Sequence, residues 1–251
     1  VTYKSINKGW AGKQVNGFSN SRRNKKPDSP KIIRESLFSY YDFGDGLSYS
    51  GTGTSVFDLS GNGFTSTLVN TPTYSPVNGG VETFNATNTS ATSSPTATGT
   101  SAMTWIAWIY RNGTTASYGS ITGGRWPATD GGANAGVLGF RGTTNQLAYA
   151  WGTSASNYDF VSNLIPPVGQ WCQVAAAVDT TGGTIYLNNE SVNNGTTNSS
   201  ITYGRVAFGN DPNFATRGCN CTIGLILTYT RKLSTSEIMQ TFDAFRPRFG
   251  I

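Results

Sequence analysis

Histidine is missing altogether from this chain of 251 residues. That removes the commonest general base near neutral pH and the commonest zinc ligand. Charge is scarce, at 12% of residues, and the Glu, Lys, Ala and Leu mixture that long helices favour is thin. The three cysteines are Cys172, Cys219 and Cys221. An odd count with two of them two apart does not make a disulfide framework, and the Cys219-x-Cys221 pair reads as strand residues, one of them packing inward. Paired carboxylates are lacking too. Glycoside hydrolysis needs two, flanking the scissile bond, yet Glu35, Glu82, Glu190 and Glu237 each lack a second carboxylate two or three residues away, and Asp42 and Asp45 sit beside Gly44 and Gly46 as in a turn. No catalytic residue and no metal site is assigned, and the chain is expected not to be an enzyme. No apolar run is long enough to span a bilayer, and no signal-peptide pattern is legible.

What is abundant is glycine, at 31 residues, together with Ser, Thr and Asn, and aromatics at 12%. Short β-prone runs separated by turn clusters recur from Leu37 onward. Between Ser48 and Phe84, the runs Ser55-Val56-Phe57 and Thr67-Leu68-Val69 alternate with Gly51–Gly53, Ser60–Gly63, Pro72, Pro76 and Asn78-Gly79-Gly80. Tightly turned antiparallel strands require this rhythm, because Gly and Asn accept positive φ at the corners. Leu37–Phe43 reads as the first strand, Ala86–Thr100 as a low-complexity loop, and Met103–Tyr110 as a strand apolar on both faces, hence covered on both or lying under a loop. Further strands are expected at 136–140, 146–151, 171–178, 184–188, 205–208 and 222–229. A capping box, Ser234-Thr235-Ser236-Glu237, predicts one helix that runs to about Phe245 and stops before Pro247.

These motifs carry a resemblance. Tyr49-x-Gly51-x-Gly53-Thr54, then Asp58-x-Ser60-Gly61-Asn62-Gly63, Pro72-Thr73-Tyr74, Asn78-Gly79-Gly80 and Phe84 resemble the opening of the laminin-G-like, concanavalin A-type jelly-roll domains of tailed-phage virion proteins. The Trp171–Asp179, Gly182-Gly183 and Tyr186-x-Asn188 run is similar to the family's later hairpin, with Asn189 in place of the turn glycine. Leu233–Ile238 resembles its closing helix, and Arg248-Phe249-Gly250-Ile251 its ending. One departure is Asn85-Ala86 after Phe84, where Asp-Gly is usual. The resemblance covers residues 37–251. It implies an all-β, two-sheet antiparallel jelly-roll sandwich with one short C-terminal helix, preceded by an extended N-terminal arm over residues 1–36. It also implies a virion structural protein: a capsid decoration, short spike or fibre. The rival is a carbohydrate-binding module without a capsid role.

The charge is lopsided. Residues 1–35 hold nine Lys and Arg against Asp28 and Glu35, whereas Lys232 is the only lysine after residue 35. The arm, with Arg22, Arg23, Lys25 and Lys26 at its densest point, is therefore expected to dock on an acidic surface of other virion proteins and order as it binds. Nucleic acid is disfavoured: Trp10 and Phe18 are the arm's main stacking groups and the body has no basic face. Membrane binding would want an amphipathic helix. A host-surface glycan and a homo-oligomer on the particle are the remaining expected partners. Arg125, Trp126, Tyr149 and Trp151 are the candidates for sugar contact, since sugar rings offer apolar C–H faces to aromatic rings. Related domains hold calcium at a loop edge, which makes Asp58 and Asn62 the candidates for that cofactor. Asp and Asn are equally good turn formers, and no acidic cluster surrounds these two.

Overall fold

The alternation that starts at Leu37 resolves into two antiparallel sheets packed face to face. The computed structural model describes residues 31–85, 87–92, 98–115, 118–125, 135–152, 158–194, 200–203, 206–211 and 216–251. The first sheet runs in the order Glu190–Asn194, Gly182–Leu187, Trp171–Asp179, Ala102–Arg111, Cys221–Tyr229, Val81–Phe84 and Thr73–Ser75. Its eighth strand, Leu37–Asp42, shares one side of Cys221–Tyr229 with Val81–Phe84. The second sheet runs Phe160–Val161, Gln146–Trp151, Ala135–Arg141, Tyr118–Arg125, Ala207–Phe208, Thr89–Thr92, Ser66–Val69 and Ser55–Val56. A small ribbon pairs Ile201–Tyr203 with Thr98–Thr100.

Strand Ala102–Arg111 shows why the sandwich holds. Side chains alternate across a strand, so Met103, Trp105, Ala107 and Ile109 enter the core between the sheets. Ile106 and Trp108 face the other way, under the C-terminal helix Thr235–Phe249. The second cover expected over this strand is thus a helix and not a loop. Ser234 caps the helix through the predicted box, and Glu237 also takes two hydrogen bonds from Arg231 (2.9 and 2.5 Å).

The helix does not stop before Pro247. It continues to Phe249 and ends on Gly250 in the left-handed conformation. Proline removes the N–H that would reach the carbonyl of Asp243 and crowds that carbonyl with its ring, at a cost of about 3 kcal/mol; Asp243 is exposed, so water can reach the freed carbonyl. Packing supplies the compensation: Phe249 stacks on Trp108 at 4.6 Å and meets Trp171 at 4.6 Å. Gly224 makes room, because a Cβ there would strike the Phe249 ring.

Three other expectations change. The expected loop 86–100 contains strands Thr89–Thr92 and Thr98–Thr100, because β-branched Thr suits a pleated strand even without an apolar alternation. In the Leu187–Glu190 hairpin the left-handed residue is Asn188, not Asn189; the Asn188 side chain also accepts a hydrogen bond from the Gln173 amide (2.9 Å). Residues 31–36, assigned to the arm, lie on the body. Ile32 is buried in the helix-side cluster, Gln240 donates to the Lys31 carbonyl (2.9 Å), and Tyr229 donates to the Ile33 carbonyl (3.1 Å). Residues 1–30, with Arg22, Arg23, Lys25 and Lys26, lie outside the described residues.

Candidate functional site

The two calcium candidates belong to the scaffold. Asp58 Oδ1 accepts hydrogen bonds from the amides of Tyr40 and Ser60 (both 2.9 Å), and Oδ2 from Ser60 Oγ (2.6 Å) and the Phe64 amide (3.3 Å). Asn62 turns its amide nitrogen onto the carbonyls of Leu37 (3.0 Å) and Phe38 (2.9 Å). Both oxygens of the carboxylate already face donors, so these residues do not fit a calcium ion, which needs free oxygen ligands. They instead tie the Asp58–Gly63 turn to the first strand. Among the described residues no three His, Cys, Asp or Glu side chains cluster as a metal site would require.

The proposed sugar contacts also separate. Tyr149 and Trp151 are buried in the main core; Trp151 meets Trp105 edge-on at 6.0 Å. Neither ring can receive a sugar. Arg125 ends strand Tyr118–Arg125, and Trp126 lies outside the described residues. Cys219 and Cys221 both face the core, rather than one of them.

The face of the second sheet that points away from the core carries a different group. Register places Tyr118, Arg141 and Gln146 opposite one another on three neighbouring strands. Their strand neighbours Phe140 and Leu147 are buried in the core, so alternation turns this row outward. Tyr118, Arg141 and Gln146 are all partly exposed. The Arg141 and Arg217 guanidinium carbons each lie 5.5 Å from the centre of the Tyr118 ring, within cation–π range. Arg217 is brought alongside because its carbonyl accepts from the Ser120 amide (2.8 Å). Its own charge is met by Asp211 at 3.3 Å, and both residues are buried. Tyr158 closes the group, 5.8 Å from Tyr118, and donates to the Phe140 carbonyl (3.0 Å); burial pushes its phenol well above the usual range.

Two further polar groups sit elsewhere. On the helix side, a groove of about 580 Å³ lies between residues 32–47 and the helix end. Its floor is an ion pair between Arg248 and Asp42 (2.6 Å), and Arg248 also donates to the carbonyls of Asn78 and Gly80 (both 2.7 Å). Asp42 accepts from Tyr40 as well (3.1 Å). These charges are satisfied by one another, and they lock the helix end to the Val77–Gly79 turn. Glu82 is the opposite case. It points into the main core beside Phe84, neither carboxylate oxygen has a hydrogen-bond partner, and burial pushes its pKa up to about 7. Its strand neighbours are Tyr74 and Ile223, and Tyr49 stands edge-on to Tyr74 at 5.5 Å. Facing the core, it cannot meet a substrate.

A family model described as the concanavalin A-like lectin/glucanases superfamily matches residues 84–239. Among solved structures, the chain is similar to domain 4 of AbnA, a GH43 extracellular arabinanase from Geobacillus stearothermophilus, in complex with arabinotriose. There the TM-score is 0.62 with 17% identity, covering 84% of this chain and 98% of that one. The binding domain of botulinum neurotoxin DC in complex with SialylT gives a TM-score of 0.62 at 12% identity, covering 85% of this chain and 52% of that one. Trypanosoma rangeli sialidase in complex with the inhibitor DANA gives 0.58 at 13% identity, covering 82% of this chain and 32% of that one. At such identities the likeness is one of fold alone. No curated protein matches the chain.

Proposed function

We propose, for a chain that belongs to the concanavalin A-like lectin/glucanases superfamily, the role of a non-catalytic glycan-binding domain displayed on a tailed-phage particle as a decoration, short spike or fibre module. The observation that carries the glycan reading is the outward row of Tyr118, Arg141 and Gln146 with Tyr158 beside it. It combines an aromatic ring for the apolar face of a sugar with a guanidinium and an amide for its oxygens. Neighbours of the same fold solved with arabinotriose and with SialylT support a sugar as the ligand class. Glycosidic cleavage would need two carboxylates about 5 to 10 Å apart. The described carboxylate at this face, Asp211, is committed to Arg217.

The virion role draws on the resemblance of Ser48–Phe84 and of the C-terminal ending, and on the basic residues concentrated before Lys31. The chain enters the body at residues 31–36, on the helix side of the first sheet, whereas the Tyr118 row lies on the outer face of the second. A carbohydrate-binding module without a capsid role is the second reading, favoured if the arm proves dispensable.

Two measurements test the pair. The full chain on a glycan array should bind a discrete set of sugars, and Tyr118→Ala should abolish that binding. Removal of residues 1–30 should abolish incorporation into particles, leaving glycan binding intact. Normal incorporation of the truncated chain would refute the anchoring role, and an array without a single hit would refute the glycan reading.

A further inference from the structure

Charge at the outer face of the second sheet is unequally spent. Arg217 is buried and paired with Asp211, so that pair contributes little net charge to a ligand. Arg141 is partly exposed and, among the described residues, has neither an ion-pair partner nor a side-chain hydrogen bond; its guanidinium lies over the Tyr118 ring. Its strand neighbour on the other side, Gln146, carries an uncharged amide that is likewise unengaged. Among the described residues the row therefore presents, side by side, an aromatic ring, a guanidinium without a counter-charge and an amide without a hydrogen bond. A guanidinium of this kind binds a planar carboxylate through two parallel hydrogen bonds, with geometric as well as electrostatic selectivity.

We infer that the ligand of this face is an acidic glycan, whose carboxylate pairs with Arg141 while the sugar ring lies along Tyr118 and Gln146. This rests on the glycan-binding reading above and adds the ligand's charge. A sulfated sugar offers the same negative charge and also accepts two parallel hydrogen bonds from a guanidinium, so it is the comparison that separates the two anions. Arg141 thus acts as the selector between acidic and neutral sugars, and Tyr118 as the platform common to both.

The test uses the full chain and short oligosaccharides: galacturonate, glucuronate and sialyl probes, each alongside its carboxyl-reduced counterpart, and a sulfated disaccharide. The expected result is binding of at least one acidic probe at least tenfold tighter than its reduced partner. Arg141→Gln should bring the two to equal affinity, and Arg141→Lys should recover only part of the preference. Because the basic residues before Lys31 are the same in wild type and variants, their nonspecific attraction for anions cancels in the comparison. Unchanged melting of Arg141→Gln shows that the variant is folded, as expected for a partly exposed side chain. Equal binding of acidic and reduced probes by the wild type, or an Arg141→Gln variant with the wild-type preference, overturns the acidic-ligand inference and leaves the glycan reading standing. Preference for the sulfated probe overturns the carboxylate assignment. Binding of no probe and no array glycan defeats the underlying reading instead.

Discussion

Glu82→Gln separates the cost of burying a charge from the cost of burying a polar side chain. In the folded protein the carboxyl titrates at about 7, against 4.5 for an unperturbed glutamate, and the cause is burial alone. The sign follows from the raised value. Below pH 4.5 Glu82 is neutral in both states and costs nothing as a charge. As pH climbs from there to 7 the unfolded chain gives up its proton first, and stability falls. Above 7 the penalty is constant. The shift corresponds to about 3 kcal/mol. The strand lies next to the edge strand Thr73–Ser75, and solvent screening there lowers the expectation to about 2 kcal/mol. Urea unfolding of the full chain, followed by tryptophan fluorescence at pH 4, 5.5, 7 and 8.5, measures it. The stability difference between Glu82→Gln and wild type should move by about 2 kcal/mol in favour of the variant across that range. By the usual scaling this is about 4–8 °C in melting temperature at the alkaline end. Other titrating groups act alike on both proteins and drop out. Parallel stability–pH curves for the two would refute the claim that Glu82 is buried without a partner.

Glu237→Ala should cost about 1–2 kcal/mol at pH 7, through loss of the capping box. Arg231, hydrogen-bonded to it, holds the Glu237 carboxyl at about 2, so this contribution is present above pH 4.5 and fades as pH falls towards 2. Acid titration of unfolding should show the variant and wild type converging. Phe249→Ala leaves a void between Trp108, Trp171 and Gly224 and should destabilise by about 3–5 kcal/mol, with loss of near-ultraviolet dichroism. A cost under about 1 kcal/mol would mean that the last helical turn past Pro247 is not held by this stacking.

Much of the scaffold was legible because its rules are local. The turn residues between Ser48 and Phe84, the strands 146–151 and 171–178, and the Ser234–Glu237 box each signal through neighbours in sequence. Pro247 misled because the contacts that keep it helical come from Trp108 and Trp171, far away in the chain. Tyr149 and Trp151 were readable in principle: with Leu147 they alternate against Ala148 and Ala150, which assigns the three large side chains to one face. The outer-face group was not legible, because Tyr118 and Arg141 meet through sheet register and Tyr158, Asp211 and Arg217 join them from loops far away in the chain. Strand Tyr118–Arg125 is itself obscured by three glycines. Glu82 gave no signal either, since a lone glutamate in a sequence looks the same on either face of a strand.

Strand Cys221–Tyr229 occupies an interior lane of the first sheet, with Ala102–Arg111 on one side and Leu37–Asp42 and Val81–Phe84 on the other. Those three strands leave the ribosome long before the one that joins them. Until it arrives, each of the three carries an open strand edge that pairs readily with a second copy. A premature stop anywhere before residue 221 would leave that gap permanently, so shortened products of this gene should aggregate instead of persisting as smaller soluble domains. Yield of the folded domain should accordingly rise when translation is rapid through residues 221–229 or when a holding chaperone is abundant.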